Sequence, residues 1–147
     1  MTRVSVPTGI WNATLFQLRT CGRARDECVV YWLAGPDGGS IISRLEHPDH
    51  VAGYGSYEVE SAWINSLWLR LAHFGLSVKV QVHTHAGRAF HSQSDDTWPL
   101  IHTPGFLSLV LPGFASSDLC MQWAYLAEYV GQDLWRERPV SACLEIV

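Results

Sequence analysis

The segment that most constrains the fold runs from Val78 to His85, because it alternates apolar and polar residues as a β-strand does. His83 and His85 stand at its end, two residues apart, so their rings leave the same face of the strand. A glycine-containing loop follows, and then Ser92 and Asp95 stand three residues apart at a position where a helix can start. Two imidazoles and a carboxylate that converge on one point are a common ligand set for zinc. The sequence therefore predicts a metal site with His83, His85 and Asp95 as its ligands.

A second strand is predicted for Cys28–Leu33, an unbroken apolar run that a Gly-Pro-Asp-Gly-Gly turn closes. A short run without polar residues is typical of a central strand that is buried on both faces. Glu27 stands at the start of this strand, where a carboxylate is either a solvated strand end or a functional group at the rim of the sheet. Position alone favours the solvated strand end.

The clearest helix covers Glu58–Phe74, with Gly75 placed as its C-terminal cap. Its apolar residues follow the spacing of three and four that marks a buried stripe. This stripe consists of Ile64, Leu67, Trp68, Leu71 and Phe74.

Turn residues and periodicity predict the remaining elements. They are an edge strand at Val4–Val6, a helix over 9–21 with Thr8 as N-cap, strands at Ile41–Leu45 and up to Tyr57, a helical turn at Ser94–Ile101, an interior strand within 105–113, a hairpin across 121–135 and a last strand within 142–147. Strands interleaved with two or three helices predict one α/β (α+β) domain over residues 1–147, with a mixed β-sheet flanked by helices.

Charge and hydropathy exclude several classes of function. The net charge is −4 and no basic run or stripe is present, which argues against binding to nucleic acid. No apolar run reaches the length of a membrane span. The N-terminus shows no charged segment followed by an apolar one, so we expect no signal peptide. These patterns predict a soluble cytoplasmic domain.

Cysteines and further histidines stand outside the predicted metal site. Four cysteines without CxxC spacing favour reduced, mostly buried thiols in a cytoplasmic protein. The cysteines are Cys21, Cys28, Cys120 and Cys143. His47 and His50 have the spacing of metal ligands, but Pro48 and the loop setting favour two surface histidines.

The predicted ligand set indicates hydrolysis. Three protein ligands leave a fourth position on zinc for water, which is the arrangement of catalytic rather than structural sites. Metal binding lowers the pKa of that water to about 7, and a nearby carboxylate is then needed to carry its proton to the leaving group. The Ser92 hydroxyl can stabilise the oxyanion that forms when a carbonyl is attacked. Because zinc has no redox chemistry of its own, this set predicts hydrolysis of an amide or isopeptide bond.

The spacing of these residues resembles the JAMM motif of the JAB/MPN metalloprotease family, which has an upstream glutamate, His-x-His, a loop and Ser-x-x-Asp. The likeness is greatest to the bacterial JAB-like branch, where that loop can be one residue shorter; here it is Ala86–His91. The family's glutamate precedes an apolar strand that ends in glycine, as Glu27 precedes Cys28–Gly35. The resemblance therefore implies that Glu27 is the general acid/base. It covers roughly residues 8–115, since 106–115 resembles the strand that follows the motif.

Two departures from the motif concern the loop and the third ligand. Ala86 stands where the family usually has proline, which removes no ligand. Asp96 neighbours Asp95, and the Ser-x-x-Asp spacing favours Asp95 as the third ligand. His91 is either a fourth ligand or, as we favour, a residue behind the ligands or exposed.

The resemblance implies a JAB/MPN-like (cytidine-deaminase-like) three-layer fold and a Zn²⁺-dependent isopeptidase or peptidase related to bacterial deubiquitinases. The implied substrate is the C-terminal tail of a ubiquitin-like protein, cleaved after its last glycine in deconjugation or precursor processing. Activating and conjugating enzymes of the E1 and E2 type, encoded beside it, are the implied partners. Two alternatives stay open: a non-catalytic MPN scaffold that binds a ubiquitin-like partner, and a zinc amidase that acts on small molecules.

Overall fold

The computed structural model describes residues 3–23, 25–36, 39–52, 57–91 and 100–147. In chain order these residues form β1 (Val4–Val6), α1 (Thr8–Gly22), β2 (Val29–Ala34), β3 (Ile42–Glu46), β4 (His50–Ala52), β5 (Tyr57–Val59), α2 (Ser61–Phe74), β6 (Ser77–Thr84), β7 (Leu107–Leu111), two short 3-10 helices (Gly113–Ala115 and Cys120–Trp123), β8 (Tyr125–Gly131), β9 (Leu134–Arg138), α3 (Val140–Cys143) and β10 (Leu144–Ile146). Among them, no helix combines the length and the apolar character that crossing a membrane requires.

A mixed six-stranded sheet with the order β3-β2-β6-β7-β8-β9 lies at the centre of the described residues. Every neighbouring pair in it is antiparallel except β6 and β7, which run parallel. Strands β1 and β10 pair in parallel as a separate two-stranded sheet, and β4 and β5 form a short antiparallel one. Strand β6 therefore has an antiparallel neighbour, β2, on one side and a parallel neighbour, β7, on the other.

The helices cover both faces of the sheet, so all six residues of β2 are buried. Successive side chains of a strand point to opposite faces. Trp32 accordingly packs in a core that includes Leu18 of α1, whereas Tyr31 packs in a second core that includes Leu67 of α2. The expected α/β arrangement, a mixed sheet flanked by helices in three layers, is confirmed.

The predicted strands are confirmed in type and order. The stretch up to Tyr57 contains the short hairpin of β4 and β5. The predicted C-terminal hairpin is β8–β9, but it begins at Tyr125 rather than at 121, because Cys120–Trp123 forms a 3-10 helix. Its turn residues Gln132 and Asp133 both have positive φ values, 55° and 58°. The Asp133 N–H donates to the Tyr129 hydroxyl over 3.0 Å, which holds this turn closed. Most of the helical turn predicted for Ser94–Ile101 lies outside the described residues.

The start of α1 differs from its prediction. Thr8 is the first helical residue rather than the N-cap, and Pro7 takes the cap position. The reason is that the Thr8 hydroxyl donates to the Val147 carbonyl over 2.9 Å and is therefore engaged with the end of the chain.

The predicted helix over Glu58–Phe74 is wrong at its start and in part of its stripe. It begins at Ser61, because the preceding residues form β5 and pair with β4. Leu67 and Leu71 are buried as expected, but Trp68 and Phe74 are 43% and 50% exposed. The sheet covers only part of the apolar face of α2. Gly75 does cap the helix, in the left-handed conformation.

Candidate functional site

His83 and His85 lie at the carboxyl end of β6, where the sheet changes from antiparallel to parallel pairing. Their side chains are 0% and 5% exposed, and their ring centres are 5.2 Å apart. The His85 N–H donates to the Leu111 carbonyl over 3.0 Å, which continues the pairing of β6 and β7 beyond Thr84. In open α/β sheets, ligands commonly bind outside the carboxyl ends of strands. Two of the predicted metal ligands thus meet at the rim of the sheet.

The antiparallel pairing of β2 and β6 carries Glu27 to the same rim. Val29 pairs with His83, and the Thr84 N–H donates to the Cys28 carbonyl over 3.1 Å, so the pairing continues past the start of β2. One residue further, Glu27 stands opposite the second histidine of the pair, and residues directly opposite each other share a face. Glu27 is only 8% exposed. The prediction that Glu27 is a solvated residue at a strand end is therefore wrong.

Two polar side chains that sequence reasoning missed lie on the same face. Gln81 and Ser108 are paired across β6 and β7, and both are buried. The Gln81 amide nitrogen is 3.4 Å from Nδ1 of His83. The sequence signal for Gln81 is its spacing of two residues from His83, since residues two apart on a strand share a face.

His91 packs against this polar face. Its Nε2 atom is 3.2 Å from the Ser108 hydroxyl, and its ring centre is 4.6 Å from that of Trp135. The side chain is half-buried. These contacts agree with the predicted position of His91 behind the metal ligands. The role of His91 stays a prediction.

The buried histidine pair fits a metal ion. A histidine ligand binds metal through one ring nitrogen and usually donates the other N–H to an acceptor. The amide of a glutamine can present either its oxygen or its nitrogen to a neighbouring group. If the Gln81 amide is turned so that its oxygen faces Nδ1 of His83, the imidazole donates from Nδ1 and offers Nε2 as ligand atom.

The remaining predicted site residues cannot be placed beside this pair. Ser92, Asp95 and its alternative Asp96 lie outside the described residues. The structure therefore brings together Glu27, His83 and His85, and the roles of Ser92 and Asp95 stay predictions.

A second cluster lies at the start of β2 on its other face. It contains Cys21, Cys28, His47 and His50, and one candidate ligand atom of each lies within 4.8 Å of the others. Cys28 is buried in the core that faces α1, and the other three side chains are half-buried. The structure places Cys21 and Cys28 in disulfide contact.

Two expectations are wrong at this cluster. His47 and His50 are not simple surface histidines, and Cys21 and Cys28 are not separate reduced thiols. The reason is topological, because the end of α1, the start of β2 and the connection from β3 to β4 meet at one point. The other two cysteines of the chain are buried free thiols, as predicted.

Burial is the largest cause of the pKa shifts of His47, Tyr31, Cys120 and Cys143. It lowers the pKa of His47, against the opposing effect of the hydrogen bond to the Val29 carbonyl, so this imidazole is neutral at pH 7. Burial raises the pKa of the Tyr31 hydroxyl. It also raises the pKa of the Cys120 and Cys143 thiols, which are protonated at neutral pH.

Known proteins share this fold and part of this sequence. No protein-family model matches the chain. It is 36% identical over 75 residues to "Probable metalloprotease y4jG" of Sinorhizobium fredii (strain NBRC 101917 / NGR234), a match over 50% of this chain and 45% of that protein. The chain thus matches less than half the length of this relative.

Two solved structures establish the fold. The solution structure of protein DSY2949 from Desulfitobacterium hafniense has a TM-score of 0.68 at 13% identity, over 98% of this chain and 94% of that one. The crystal structure of AF2198, a JAB1/MPN domain protein from Archaeoglobus fulgidus, has a TM-score of 0.55 at 14% identity over all of both chains. The chain therefore has a fold similar to that of a JAB1/MPN domain.

Proposed function

We propose that this protein is a metal-dependent peptidase of the JAB/MPN family with zinc as its metal. The observation that carries the proposal is the pairing of β2 with β6, which sets the buried Glu27 opposite the second residue of the buried pair His83 and His85. A partial likeness to a protein named as a probable metalloprotease and the JAB1/MPN-like fold support the same class.

In this proposal His83, His85 and Asp95 hold the metal, which when bound acts as a Lewis acid that polarises water and the scissile carbonyl. Glu27 accepts the proton of the attacking water and donates it to the leaving nitrogen. Its burial keeps this carboxylate away from bulk water, so the proton passes between groups inside the site. Ser92 donates a hydrogen bond to the oxyanion of the substrate. Gln81 accepts from Nδ1 of His83 and fixes the orientation of that ring.

The proposed substrate is the C-terminal tail of a ubiquitin-like protein, cleaved after its last glycine in a bacterial ubiquitin-like conjugation system. The likeness to the JAMM motif supports this choice, and E1-like and E2-like enzymes are the proposed partners. An extended tail with small residues suits a site at the rim of a sheet, because a backbone without bulky side chains can approach the strand ends closely.

The proposed chemistry is tested with Glu27→Gln, which keeps the size of the side chain and removes its ability to carry a proton. The substrates are ubiquitin-like proteins that end in glycine and are joined to a reporter through a peptide or an isopeptide bond. We expect hydrolysis by the zinc-loaded protein to fall about 10²–10⁴-fold, with bound zinc unchanged. Glu60→Gln is the matched control, since this exposed carboxylate makes no side-chain capping bond at the start of α2.

The outcomes separate the proposal from its alternatives. Hydrolysis that survives Glu27→Gln contradicts the proposed role of this carboxylate. Tight binding of a ubiquitin-like protein without turnover favours the scaffold, and activity on short acyl amides alone favours the small-molecule amidase.

A further inference from the structure

Three separate segments bring two cysteines and two histidines to one point on the α1 side of β2. Cys21 lies in the last turn of α1, Cys28 directly precedes β2, His47 directly follows β3, and His50 is the first residue of β4. The Cys21 sulfur is 3.3 Å from Nε2 of His50, and the Cys28 sulfur is 3.9 Å from Nδ1 of His47. The two imidazole rings have centres 5.0 Å apart. These side chains lie near enough to share one small ion.

We propose that Cys21, Cys28, His47 and His50 form a structural zinc site in the reduced protein, separate from the predicted catalytic metal. Two thiolates and two imidazoles are a set that favours zinc in tetrahedral geometry. Four protein ligands leave no position for water, so this site holds the fold rather than performs hydrolysis.

The distances in the cluster suit this geometry after a small adjustment. Ligand atoms around a tetrahedral zinc ion lie about 3.3–3.8 Å apart, as the usual Zn–N and Zn–S bond lengths require. In the structure the four candidate atoms lie within 4.8 Å of one another. Metal binding would therefore draw the outer atoms inward by about 1 Å and separate the two sulfurs. Cys21, His47 and His50 are half-buried, and side chains of this kind can make such a shift.

The surroundings of His50 also resemble those of a metal ligand. Nδ1 of His50 is 2.9 Å from the Pro48 carbonyl, so this nitrogen can donate a hydrogen bond while Nε2 faces the Cys21 sulfur. A backbone carbonyl in this position is a common acceptor behind a metal-bound imidazole, because it fixes the tautomer and the ring orientation. Nδ1 of His47 is 3.1 Å from the Val29 carbonyl, so this nitrogen can bind the metal only when that hydrogen bond is given up.

The disulfide contact and the zinc site are two alternative states of the same sulfur pair. A dithiol, which becomes a disulfide, or a phosphine with water, which becomes a phosphine oxide, supplies two electrons and two protons. The bond between Cys21 and Cys28 breaks and leaves two thiols. Zinc then binds the two sulfurs as thiolates, and their two protons pass to solvent. Oxidation by a small-molecule disulfide transfers two electrons to that disulfide, which becomes two thiols, and forms the bond between Cys21 and Cys28 again. The metal is released, since a disulfide sulfur has lost its thiolate charge.

The site differs from the usual zinc finger in its spacing. Zinc fingers bring cysteines two to four residues apart within one local turn, whereas Cys21 and Cys28 are separated by seven positions and meet through the fold. The ion would tie α1, β2 and the β3–β4 connection together at the position directly after Glu27. We expect it to hold the segment that carries this carboxylate.

Cobalt(II) added to the reduced full-length protein tests the proposal directly. Thiolate ligands give cobalt an intense sulfur-to-metal charge-transfer absorption, which the predicted catalytic set of nitrogen and oxygen ligands does not. We expect this absorption at one equivalent per chain, its loss on addition of zinc, and its absence from the oxidised protein. Absence of the absorption in reduced, folded protein would overturn the proposal.

Variants assign the absorption to particular residues. We expect Cys21→Ser to remove it, and Cys120→Ser to retain it as the matched control. His50→Ala keeps both sulfurs and is expected to weaken cobalt binding at least about tenfold, because even residues behind metal ligands have effects of that size. Circular dichroism of each variant verifies the fold. An absorption that depends on Cys120 rather than Cys21 would contradict the assignment, whatever happens to hydrolysis.

Discussion

The two faces of β2 begin with clusters of different chemistry. Towards α2 the strand is preceded by Glu27, which stands opposite His85, and this set contains a carboxylate and imidazoles. Towards α1 it is preceded by Cys28, which lies with Cys21 and two further imidazoles. The first set suits a metal with an open position, and the second suits a metal that is fully enclosed by protein ligands. The difference teaches that alternate residues of one strand can carry side chains of different chemistry to two separate places, and each of these places is a proposed metal centre.

The largest expected effect separates the two centres by function. His83→Ala removes a proposed ligand of the catalytic metal, and loss of several kcal/mol of transition-state stabilisation predicts a decrease in hydrolysis of about 10³-fold or more. The thiolate–cobalt absorption of the other face should be unchanged. Kinetics and absorption spectroscopy on the same sample measure both quantities.

His73→Ala is the matched control for this variant, because His73 is an exposed histidine in the last turn of α2. It should change neither quantity. If His83→Ala also removed the thiolate–cobalt absorption, the two faces would hold one centre and the comparison would be wrong.

A smaller effect separates the two faces by stability. Trp32 is fully buried on the α1 side, and its Nε1–H donates to the Thr14 hydroxyl over 2.8 Å. Trp32→Phe removes this hydrogen bond and leaves space behind, so we expect unfolding free energy to fall by about 2–3 kcal/mol. Tyr31→Phe on the α2 side removes only a hydroxyl and should lower it by about 1 kcal/mol or less. Urea unfolding at pH 7 gives both values, and equal losses would contradict the difference between the faces.

The smallest effect concerns pH and Tyr31. Its folded-state pKa is raised by burial, so above the unfolded pKa of about 10 only the unfolded state releases the proton. This contribution to stability is complete below pH 10 and is lost as pH rises. We expect the unfolding free energy of the wild type, relative to Tyr31→Phe, to fall by about 1 kcal/mol between pH 10 and 11. A difference that stays constant over this range would show that Tyr31 ionises equally in both states.

The strands of the sheet were predictable because their signals are local. The alternation before His83 and the apolar run after Glu27 each specify an element from a few neighbouring residues. Only a few arrangements of these two strands in one sheet are compatible with their order in the chain. Their antiparallel pairing brings Glu27 and His83 to the same rim of the sheet. The exposure of Trp68 was not predictable, since the periodicity of α2 shows an apolar face but not how much of that face the sheet covers.

The cysteine and histidine cluster was not predictable because its signals are non-local. Cys21 and His50 are separated by 29 positions, and only the turn from β3 to β4 brings them into contact. The spacing within the cysteine pair, or within the histidine pair, is only a weak signal for a metal site, and Pro48 favours a surface loop. A cluster of this kind becomes visible only when α1, β2 and β3 are assembled.

The adjacency of Glu27 and Cys28 makes this part of the chain sensitive to insertions and deletions. The two residues point to opposite faces, because side chains alternate along a strand. A one-residue slip of β2 against β6 would turn the thiol towards His83 and the carboxylate towards α1. Insertion or deletion of a single residue would thus disrupt both proposed centres. We therefore expect the number of residues at the start of β2 to vary less among related sequences than the residue types do.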